Sequence, residues 1–550
     1  LYSCLPDGTD LRRHTDHDDY YARHAQTDGT RIVYQCGAAL WLFDPATDGT
    51  RRLDIRVPAH RTQAARRFVP ATRHLAGFNV HPAGHSLAVD VRGKLFTFAL
   101  WEGAVSQHGA ADGVRYRHGQ WLSDGATLVG VSDASGEERI EVFEAGKTRA
   151  LAWDIGRVLA LRAAPKGKRI AIANHRNEVL IGDLETGVLT VVDRSDAGRS
   201  DDLAWSPDGA WLAYAFWTSL RHCAIKLHQV GTQQSTLVTQ PEFRDYCPAF
   251  DPEGKYLYFL SMRTFDPVYD NVQFELSFPR AARPYLIALQ AGQRPPFDPE
   301  PKGLQADPAA QAKKADPADA RPALAIDLDG IAQRVAAFPV AEGRYGQIAG
   351  VEGKALWTSF PIPGAHGRGG HKETPGRLEA FDFETLKVDV LADKSDGFVL
   401  AADGASLIVR VDKRLRAIDA TRKPEPRADP MLAQAGDAPT RMSGWIDLDR
   451  IRVSVLPKSE WRQMLREVWR LQRDQFWVQD MSGVDWEAVY RRYLPLLDLV
   501  ATRGELSDLI WEMQGELGTS HAYEFGGDHR KPPQIALGHL GADLALATDG

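Results

Sequence analysis

Cysteine is scarce in this chain of 550 residues, and its spacing fits no metal-binding or redox motif. The four cysteines are Cys4, Cys36, Cys223 and Cys247. They are scattered and lack the Cys-x-x-Cys pattern, so neither a disulfide framework nor a structural zinc site is expected. We predict reduced thiols in a cytoplasmic protein, and no bound metal.

Long hydrophobic runs and an excess of basic charge are also missing. No apolar stretch approaches the roughly 18 residues that a membrane-spanning helix needs. The net charge of −7 argues against nucleic acid or an anionic membrane surface as a partner. No Gly-x-Ser-x-Gly motif occurs, so the sequence has no nucleophile elbow of an α/β-hydrolase. No cofactor motif is present, and none is predicted.

A turn ending in glycine between two apolar strands recurs through most of the chain. The clearest copy is the Leu-Ala-Trp-Ser-Pro-Asp-Gly stretch at 203–209, followed by the apolar run 210–216. In such a turn proline presets the backbone at the second position, and glycine accepts the geometry at the fourth. The turn glycines are 41, 42, 42 and 45 residues apart, at Gly84, Gly125, Gly167, Gly209 and Gly254. This period fits one four-stranded blade of a β-propeller.

With Gly353 and Gly404 the markers number seven, which predicts a mainly β chain with a seven-bladed propeller over residues 61–455. A Pro-, Ala-, Asp- and Lys-rich stretch at about 291–322 indicates an insertion. One further blade-like unit surrounds Gly29. This unit could be an eighth blade, but its spacing to Gly84 is 55 residues, which favours residues 1–60 as the end of a separate, preceding domain. The aromatic residues of the blades, such as Trp205 and Trp211, are predicted to be core.

The pattern becomes helical after residue 456. Apolar residues at three- and four-residue spacing follow Pro457, a second helix is predicted from Trp486 to Pro495, and a capping-box spacing at Thr502 begins a third. We therefore predict a small helical domain over residues 456–530. Residues 531–550 become strand-like again, as the start of another domain.

A Ser-His pair follows the third predicted helix, within the stretch Gly-Glu-Leu-Gly-Thr-Ser-His-Ala-Tyr at 515–523. A histidine can accept a proton near neutral pH, which makes His521 a candidate general base. The alternative is a histidine that only caps the C-terminus of the helix. Ser520 is poorly placed to be its nucleophile, because adjacent side chains point in different directions. A supporting hydrogen bond is the favoured role of Ser520, and simple capping of the backbone is the alternative.

Three stretches together resemble the tricorn protease family. They are residues 476–486, the Gly-Thr-Ser-His-Ala-Tyr motif at 518–523, and the Arg-Phe-Val-Pro stretch at 67–70 with residues 84–88. The resemblance covers essentially the whole chain. It implies the end of a six-bladed propeller at 1–60, a seven-bladed propeller at 61–455, a helical domain at 456–530 and the start of a PDZ-like domain at 531–550.

The resemblance also implies a serine peptidase that degrades oligopeptides, with the propeller as a gated substrate channel. His521 matches the family's catalytic histidine and Ser520 the serine of the same tetrad. The nucleophilic serine and a glutamate would come from a further domain, so we expect the chain to be a fragment cut at both ends and inactive alone. A homohexamer and downstream aminopeptidases are implied as partners.

Two other functions stay open from the sequence. One is a non-enzymatic propeller that binds a partner protein, and the other is an enzyme similar to prolyl oligopeptidases. The absence of a Gly-x-Ser-x-Gly motif argues against an enzyme similar to prolyl oligopeptidases.

A polar cluster near the N-terminus has residue types that bind metal, but its spacing matches no known site, and we interpret it as a hydrogen-bonded loop. Its members are His14, Asp16, His17, Asp18 and Asp19. The basic pairs Arg12-Arg13 and Arg51-Arg52 are interpreted as surface charge rather than as anchors for a peptide carboxylate.

Overall fold

The computed structural model describes residues 1–56, 58–269, 272, 274–298, 324–362, 374–422, 436–530, 535, 538 and 541. The predicted insertion at 291–322 lies mostly outside the described residues, and the predicted PDZ-like start at 531–550 lies almost wholly outside them. The chain divides into two compact units. Residues 1–66 and 456–550 form the helical unit, and residues 67–455 form the propeller unit.

The strands of the two units share an antiparallel, up-and-down arrangement. Those of the helical unit are β1 (Tyr2–Ser3), β2 (Arg12–Arg13), β3 (Arg23–Thr27), β4 (Ile32–Cys36), β5 (Ala39–Asp44) and β6 (Gly49–Leu53). Those of the propeller unit are β7 (Arg67–Pro70), β8 (Leu75–Val80), β9 (Ser86–Val91), β10 (Lys94–Ala99), β11 (Ser106–His108), β12 (Tyr116–Trp121), β13 (Leu128–Ser132), β14 (Arg139–Glu144), β15 (Lys147–Ala150), β16 (Val158–Ala163), β17 (Arg169–Asn174), β18 (Glu178–Asp183), β19 (Leu189–Arg194), β20 (Leu203–Trp205), β21 (Trp211–Trp217), β22 (Cys223–Gln229), β23 (Gln234–Leu237), β24 (Arg244–Phe250), β25 (Tyr256–Met262), β26 (Val268–Tyr269), β27 (Leu276–Ser277), β28 (Ala282–Ala288), β29 (Val335–Ala337), β30 (Arg344–Val351), β31 (Lys354–Phe360), β32 (Gly376–Asp382), β33 (Lys387–Ser395), β34 (Gly397–Leu400), β35 (Ser406–Val411), β36 (Arg414–Asp419) and β37 (Arg452–Val455).

The described part of the propeller unit contains seven blades of antiparallel strands. The blades are β8–β11, β12–β15, β16–β19, β20–β23, then β24, β25, β28 and β29, then β30–β33, and finally β34–β36. The fourth and fifth blades are joined into one eight-stranded sheet by a single parallel pairing of β22 with β24, and β26–β27 and β7–β37 form two small sheets of their own. Trp445 extends the seventh blade through a bridge to Arg416. The first strands of neighbouring blades contact one another in a closed cycle, from β8 through β12, β16, β20, β24, β30 and β34 back to β8. This cycle is the ring of a seven-bladed propeller, with the first strand of each blade nearest the axis.

All seven marker glycines lie at the connection between the first and second strands of a blade. Their φ angles are positive, between 65° and 74°. Gly209 shows the geometry, since its N–H donates to the carbonyl of Ser206 at 2.9 Å and closes the turn. Only glycine adopts this conformation without strain, which explains why the residue recurs there.

The core of the propeller unit lies in layers between neighbouring blades. Val89 and Ile408 belong to the layer between the first and last blades, and Tyr258 and Trp357 to the layer between the fifth and sixth. A middle strand such as β17 is buried along nearly its full length because both of its faces are covered. The outermost strand β15 is exposed at every residue. Trp211 is buried as predicted, whereas Trp205 is half-buried, and its indole N–H donates to the carbonyl of Arg162 at 3.0 Å.

The two ends of the propeller unit pair with each other. Strand β37 runs antiparallel to β7, with Arg67 opposite Val455 and Pro70 opposite Arg452. The polypeptide therefore enters and leaves this unit side by side.

The helical unit combines one four-stranded sheet, β3–β6, with three helices. The helices are α1 (Pro457–Gln475), α2 (Trp486–Tyr493) and α3 (Arg503–Gly515). Short 3₁₀ turns in the two units are Thr62–Ala64, Ala71–Arg73, Ile331–Arg334, Leu448–Arg450, Met481–Gly483 and Leu494–Asp498. The helices enclose a core that includes Trp461, Leu465, Trp486, Tyr493 and Met513. No helix within the described residues is long and apolar enough to cross a membrane.

Candidate functional site

The predicted Ser-His pair follows helix α3, whose two ends are well defined. Thr502 is the N-cap, and its hydroxyl accepts a hydrogen bond from the Glu505 N–H at 3.2 Å. This confirms the predicted start, since a threonine there satisfies one of the free amides of the first turn. The helix ends at Gly515, and the chain continues as an irregular loop over residues 516–530, which we call the His loop.

His521 is exposed on the His loop and has a left-handed backbone conformation. Its φ is 68°, and that of Gly518 is 60°. A non-glycine residue with such a φ is strained by roughly 1–3 kcal/mol and persists only where its surroundings hold it. Sixteen other non-glycine residues of the described chain also have a positive φ, so this conformation does not by itself mark a functional site.

The imidazole of His521 faces aromatic neighbours rather than a carboxylate. The Tyr523 ring meets it edge-on at 5.9 Å between centroids, with the Tyr523 hydroxyl 3.5 Å from His521 Nδ1. Phe525 lies 5.8 Å from Tyr523 and is 86% exposed. Ser520 is exposed, and its hydroxyl has no hydrogen-bond partner among the residues that the structure describes. The two predicted residues are therefore accessible to reactants and to another protein surface.

Two carboxylates fasten the His loop on either side of this pair. Before it, Glu516 accepts a hydrogen bond from the Tyr493 hydroxyl at 2.6 Å and pairs with Arg492 at 2.7 Å. Burial, reinforced by the bond to Glu516, raises the pKa of Tyr493 well above its usual value, so the hydroxyl keeps its proton and stays a donor. The start of the loop is thus tied to the end of α2.

After the pair, Glu524 docks on the first turn of α3. It is ion-paired with Arg503, whose guanidinium also donates to the Ser507 hydroxyl at 2.5 Å. Burial raises the pKa of Glu524, but hydrogen bonds from Arg503 and Ser507 outweigh that effect, so the pKa lies below its ordinary value. The carboxylate is therefore charged at neutral pH. Sequence reasoning missed Glu516 and Glu524, because only the fold brings them to Arg492 and Arg503.

The polar cluster of the N-terminal segment is engaged in contacts of its own. His14 lies 2.7 Å from the Ser3 hydroxyl and 2.6 Å from Asp48, while His17 Nε2 lies 2.7 Å from the Tyr34 hydroxyl. Asp16 and Asp18 both pair with Arg13. No group of three or more His, Cys, Asp or Glu residues that could hold a metal ion occurs within the described part of the chain.

The two basic pairs lie in short strands. Arg12, in β2, pairs with Asp10 at 2.9 Å. Arg51 and Arg52, in β6, are exposed. The structure brings none of these four arginines together with Ser520 or His521 through a hydrogen bond or ion pair between described residues.

Comparison with known proteins relates both units to one family. The family model described as "Tricorn protease second beta propeller domain" matches residues 75–421, and the one described as "Tricorn protease C1 domain" matches residues 457–515. The predicted mainly β fold, a propeller followed by a small helical domain, is thereby confirmed.

Relatives match along the whole length of the chain. "Tricorn protease homolog 1" of Streptomyces coelicolor is 38% identical over 566 residues, which span 100% of this chain and 52% of that protein. "Tricorn protease" of Thermoplasma acidophilum is 29% identical over 571 residues, spanning 100% and 49%. The crystal structure of the tricorn protease superposes with a TM-score of 0.79 at 27% identity, covering 96% of this chain and 49% of that one. The chain thus spans about half the length of these relatives.

Proposed function

Because this chain belongs to the tricorn protease family, we propose that it is part of a serine peptidase that degrades oligopeptides and that His521 is its general base. The observation that carries the proposal is the exposed side chain of His521 on a loop that Glu516 and Glu524 fasten to the helices. An accessible imidazole held in one place can take the proton of an attacking serine and return it to the leaving amine. The resemblance and the half-length coverage of relatives support this reading.

The proposal assigns the remaining catalytic groups to a segment outside this chain. The nucleophilic serine and a glutamate would come from that segment, and Ser520 would donate or accept a supporting hydrogen bond. The exposed aromatic face formed by Tyr523 and Phe525 gives such a segment an apolar surface against which to pack. On this view the helical unit contributes the base, and the propeller unit acts as the channel that admits unfolded peptides.

The resemblance to the family supports further proposals about localisation, assembly and partner enzymes. We infer a cytoplasmic, hexameric assembly whose products pass to aminopeptidases. Light scattering of the longer protein tests the assembly, because a hexamer has six times the mass of the single chain. A stable monomer at working concentration contradicts it.

The catalytic role is tested in the longer protein that contains this chain. We expect His521→Ala to lower kcat for peptide hydrolysis by roughly 10²- to 10⁴-fold, the usual contribution of a general base. Ser520→Ala should lower it by about tenfold, in line with one lost hydrogen bond. His529→Ala is the matched control, since His529 is an exposed histidine of the same loop. Turnover that survives His521→Ala unchanged would overturn the assignment and favour a non-enzymatic binding role.

A further inference from the structure

A cavity of about 770 Å³ opens in the propeller unit, where the first strands of three neighbouring blades begin. Asp202 contributes to it just before β20, Arg244 and Tyr246 from the start of β24, and Arg344 and Tyr345 from the start of β30. The end of β25 and the starts of β22 and β28 also contribute, through Met262, Cys223 and Ala282, so the cavity opens on one face of the propeller unit. Its size suits a few residues of an extended peptide rather than a folded domain.

The wall of this cavity holds two guanidinium groups that pair with no carboxylate among the residues that the structure describes. Arg244 stacks over the indole of Trp217, 5.0 Å from the ring centre, and makes no ion pair within the described residues. Arg344 donates to the carbonyl of Pro361 at 3.1 Å and likewise has no described carboxylate partner. The neighbouring Arg263, in contrast, is paired with Asp245 at 2.9 Å. A guanidinium presents a planar fork of donors that matches a carboxylate, so this wall favours an anionic ligand group.

An exposed apolar hairpin adjoins the same wall. Strands β26 and β27 form it between β25 and β28 of the fifth blade. Phe278 lines the cavity and packs against Phe265 at 5.3 Å between ring centres. Phe265 is 80% exposed and Phe274 is 72% exposed. Single exposed aromatic residues are ordinary, but a group of them continuous with a cavity indicates a binding surface.

The acidic groups of the cavity define where a carboxylate does not fit. Asp202 accepts a hydrogen bond from the Cys247 N–H at 2.9 Å and is thereby engaged. Asp201 is exposed on the wall and makes no hydrogen bond or ion pair to any described residue. A carboxylate there repels a second carboxylate and accepts from a donor such as a peptide N–H. The cavity is therefore lined by both kinds of group, guanidinium groups that suit a carboxylate and a free carboxylate that suits an N–H donor.

We propose that this cavity binds the C-terminal end of a peptide, with the free carboxylate at Arg244 and Arg344 and an apolar or aromatic side chain against the hairpin. The inference rests on the proposed function, which supplies such peptides. It means that the propeller unit binds a peptide preferentially by its C-terminal end. A free apolar amino acid also has a carboxylate and an apolar side chain. Competition with free phenylalanine distinguishes such an amino acid from the end of a peptide.

The test measures binding to the purified chain by fluorescence anisotropy with a hexapeptide labelled at its N-terminus and ending in phenylalanine. The free-acid peptide should bind about tenfold or more tightly than its C-terminal amide, since the amide lacks the charge that Arg244 pairs with. Replacing the terminal phenylalanine by serine should also weaken binding. Arg244→Gln should reduce the difference between acid and amide, and the double variant Arg244→Gln/Arg344→Gln should remove it. Arg221→Gln is the matched control, because Arg221 is exposed in the fourth blade and lies outside the cavity wall.

Each outcome decides the proposal. Equal affinity of the unaltered chain for acid and amide overturns it, and so does a double variant Arg244→Gln/Arg344→Gln that still prefers the acid. Free phenylalanine that displaces the peptide at equal concentration overturns the peptide assignment in favour of an amino-acid site. The His521→Ala chain should bind the peptide like the unaltered chain. Peptide binding to the cavity therefore does not depend on whether His521 is catalytic. A negative binding result likewise does not contradict the catalytic role of His521.

Discussion

Gly84 and Gly167 occupy the same turn in two blades, share a φ of 74°, and differ in what surrounds them. A methyl group at Gly84 would lie 2.1 Å from the Ser406 hydroxyl and 2.5 Å from Asp403, whereas at Gly167 it would meet nothing within 4 Å. Both alanine variants carry the cost of a left-handed backbone, about 1 kcal/mol. Gly84→Ala should therefore be the more destabilising in urea unfolding of the propeller unit. Equal losses of unfolding free energy for the two variants would show that Ser406 and Asp403 move aside without cost.

Asp90 is a buried carboxyl that makes stability depend on pH. Burial raises its pKa to about 6, against an unfolded value near 3.8, although the N–H of Gly119 donates to it at 3.2 Å. Below pH 3.8 both states are protonated and the penalty is absent. Between these two values the unfolded chain ionises first, so stability falls as pH rises, by roughly 3 kcal/mol in all. Asp90→Asn should flatten the unfolding free energy between pH 4 and 6, and an unchanged slope would contradict the burial argument.

Single residues of the sequence were enough to predict the blade turns and the candidate histidine. The seven glycines gave the positions of the blade turns, because a positive φ leaves few other choices. His521 was predicted from a local motif, and its exposed position agrees with a reactive role. Its left-handed φ was not predictable, since it depends on contacts that fasten the loop from outside the motif. The half-exposure of Trp205 was missed: the side chain packs against the layer between the third and fourth blades, but it is only partly covered there.

The His loop is the element on which the proposed chemistry depends, and its two anchors are carboxylates. Glu516→Gln keeps the size of the side chain but loses its charge toward Arg492. We expect faster amide exchange across residues 517–524, measured by hydrogen–deuterium exchange, with α3 itself unchanged. Glu487→Gln provides the control, because Glu487 is exposed on α2. Exchange that stays as slow as in the unaltered chain would mean that Glu524 and Arg503 hold the loop alone.

The ends of the helices could be predicted, but the contacts between elements could not. Pro457 and Thr502 begin α1 and α3 because a proline lacks the N–H and a threonine caps one. The apolar hairpin β26–β27 gave no recognisable signal, since its strands are only two residues long. Glu516 and Arg492 are separated by 24 residues in sequence, and their pairing follows from how α2 and α3 pack.

For the molecule as a whole, the chain on its own should hydrolyse no peptide. The proposal places the nucleophile elsewhere, and a general base without a nucleophile leaves the amide bond intact. A fluorogenic peptide incubated with the purified chain checks this, with the longer protein as the positive control. Cleavage by the chain that disappears in His521→Ala would mean that a nucleophile lies within these 550 residues.

The division into domains was the least predictable feature at this scale. A repeat period locates blades along the sequence, but it does not reveal that residues 1–66 and 456–550 fold together. Tyr20 shows the connection, since its hydroxyl donates to the carbonyl of Arg492 at 2.6 Å. The assignment of residues 1–60 to the end of a preceding propeller stays a prediction.

The β7–β37 pair turns the propeller into an insertion within another unit. Arg67 and Val455 are direct strand partners, so the chain leaves one unit and returns to it across a gap of about 5 Å. A two-residue turn can span that distance, and the entropy of closing a short loop is smaller than that of closing a long one. Joining residue 66 to residue 456 through such a turn should therefore leave the helical unit folded, and circular dichroism of that shortened protein would show its helices. The seven blades are thus one continuous stretch of sequence, and a single short join would remove all of them together.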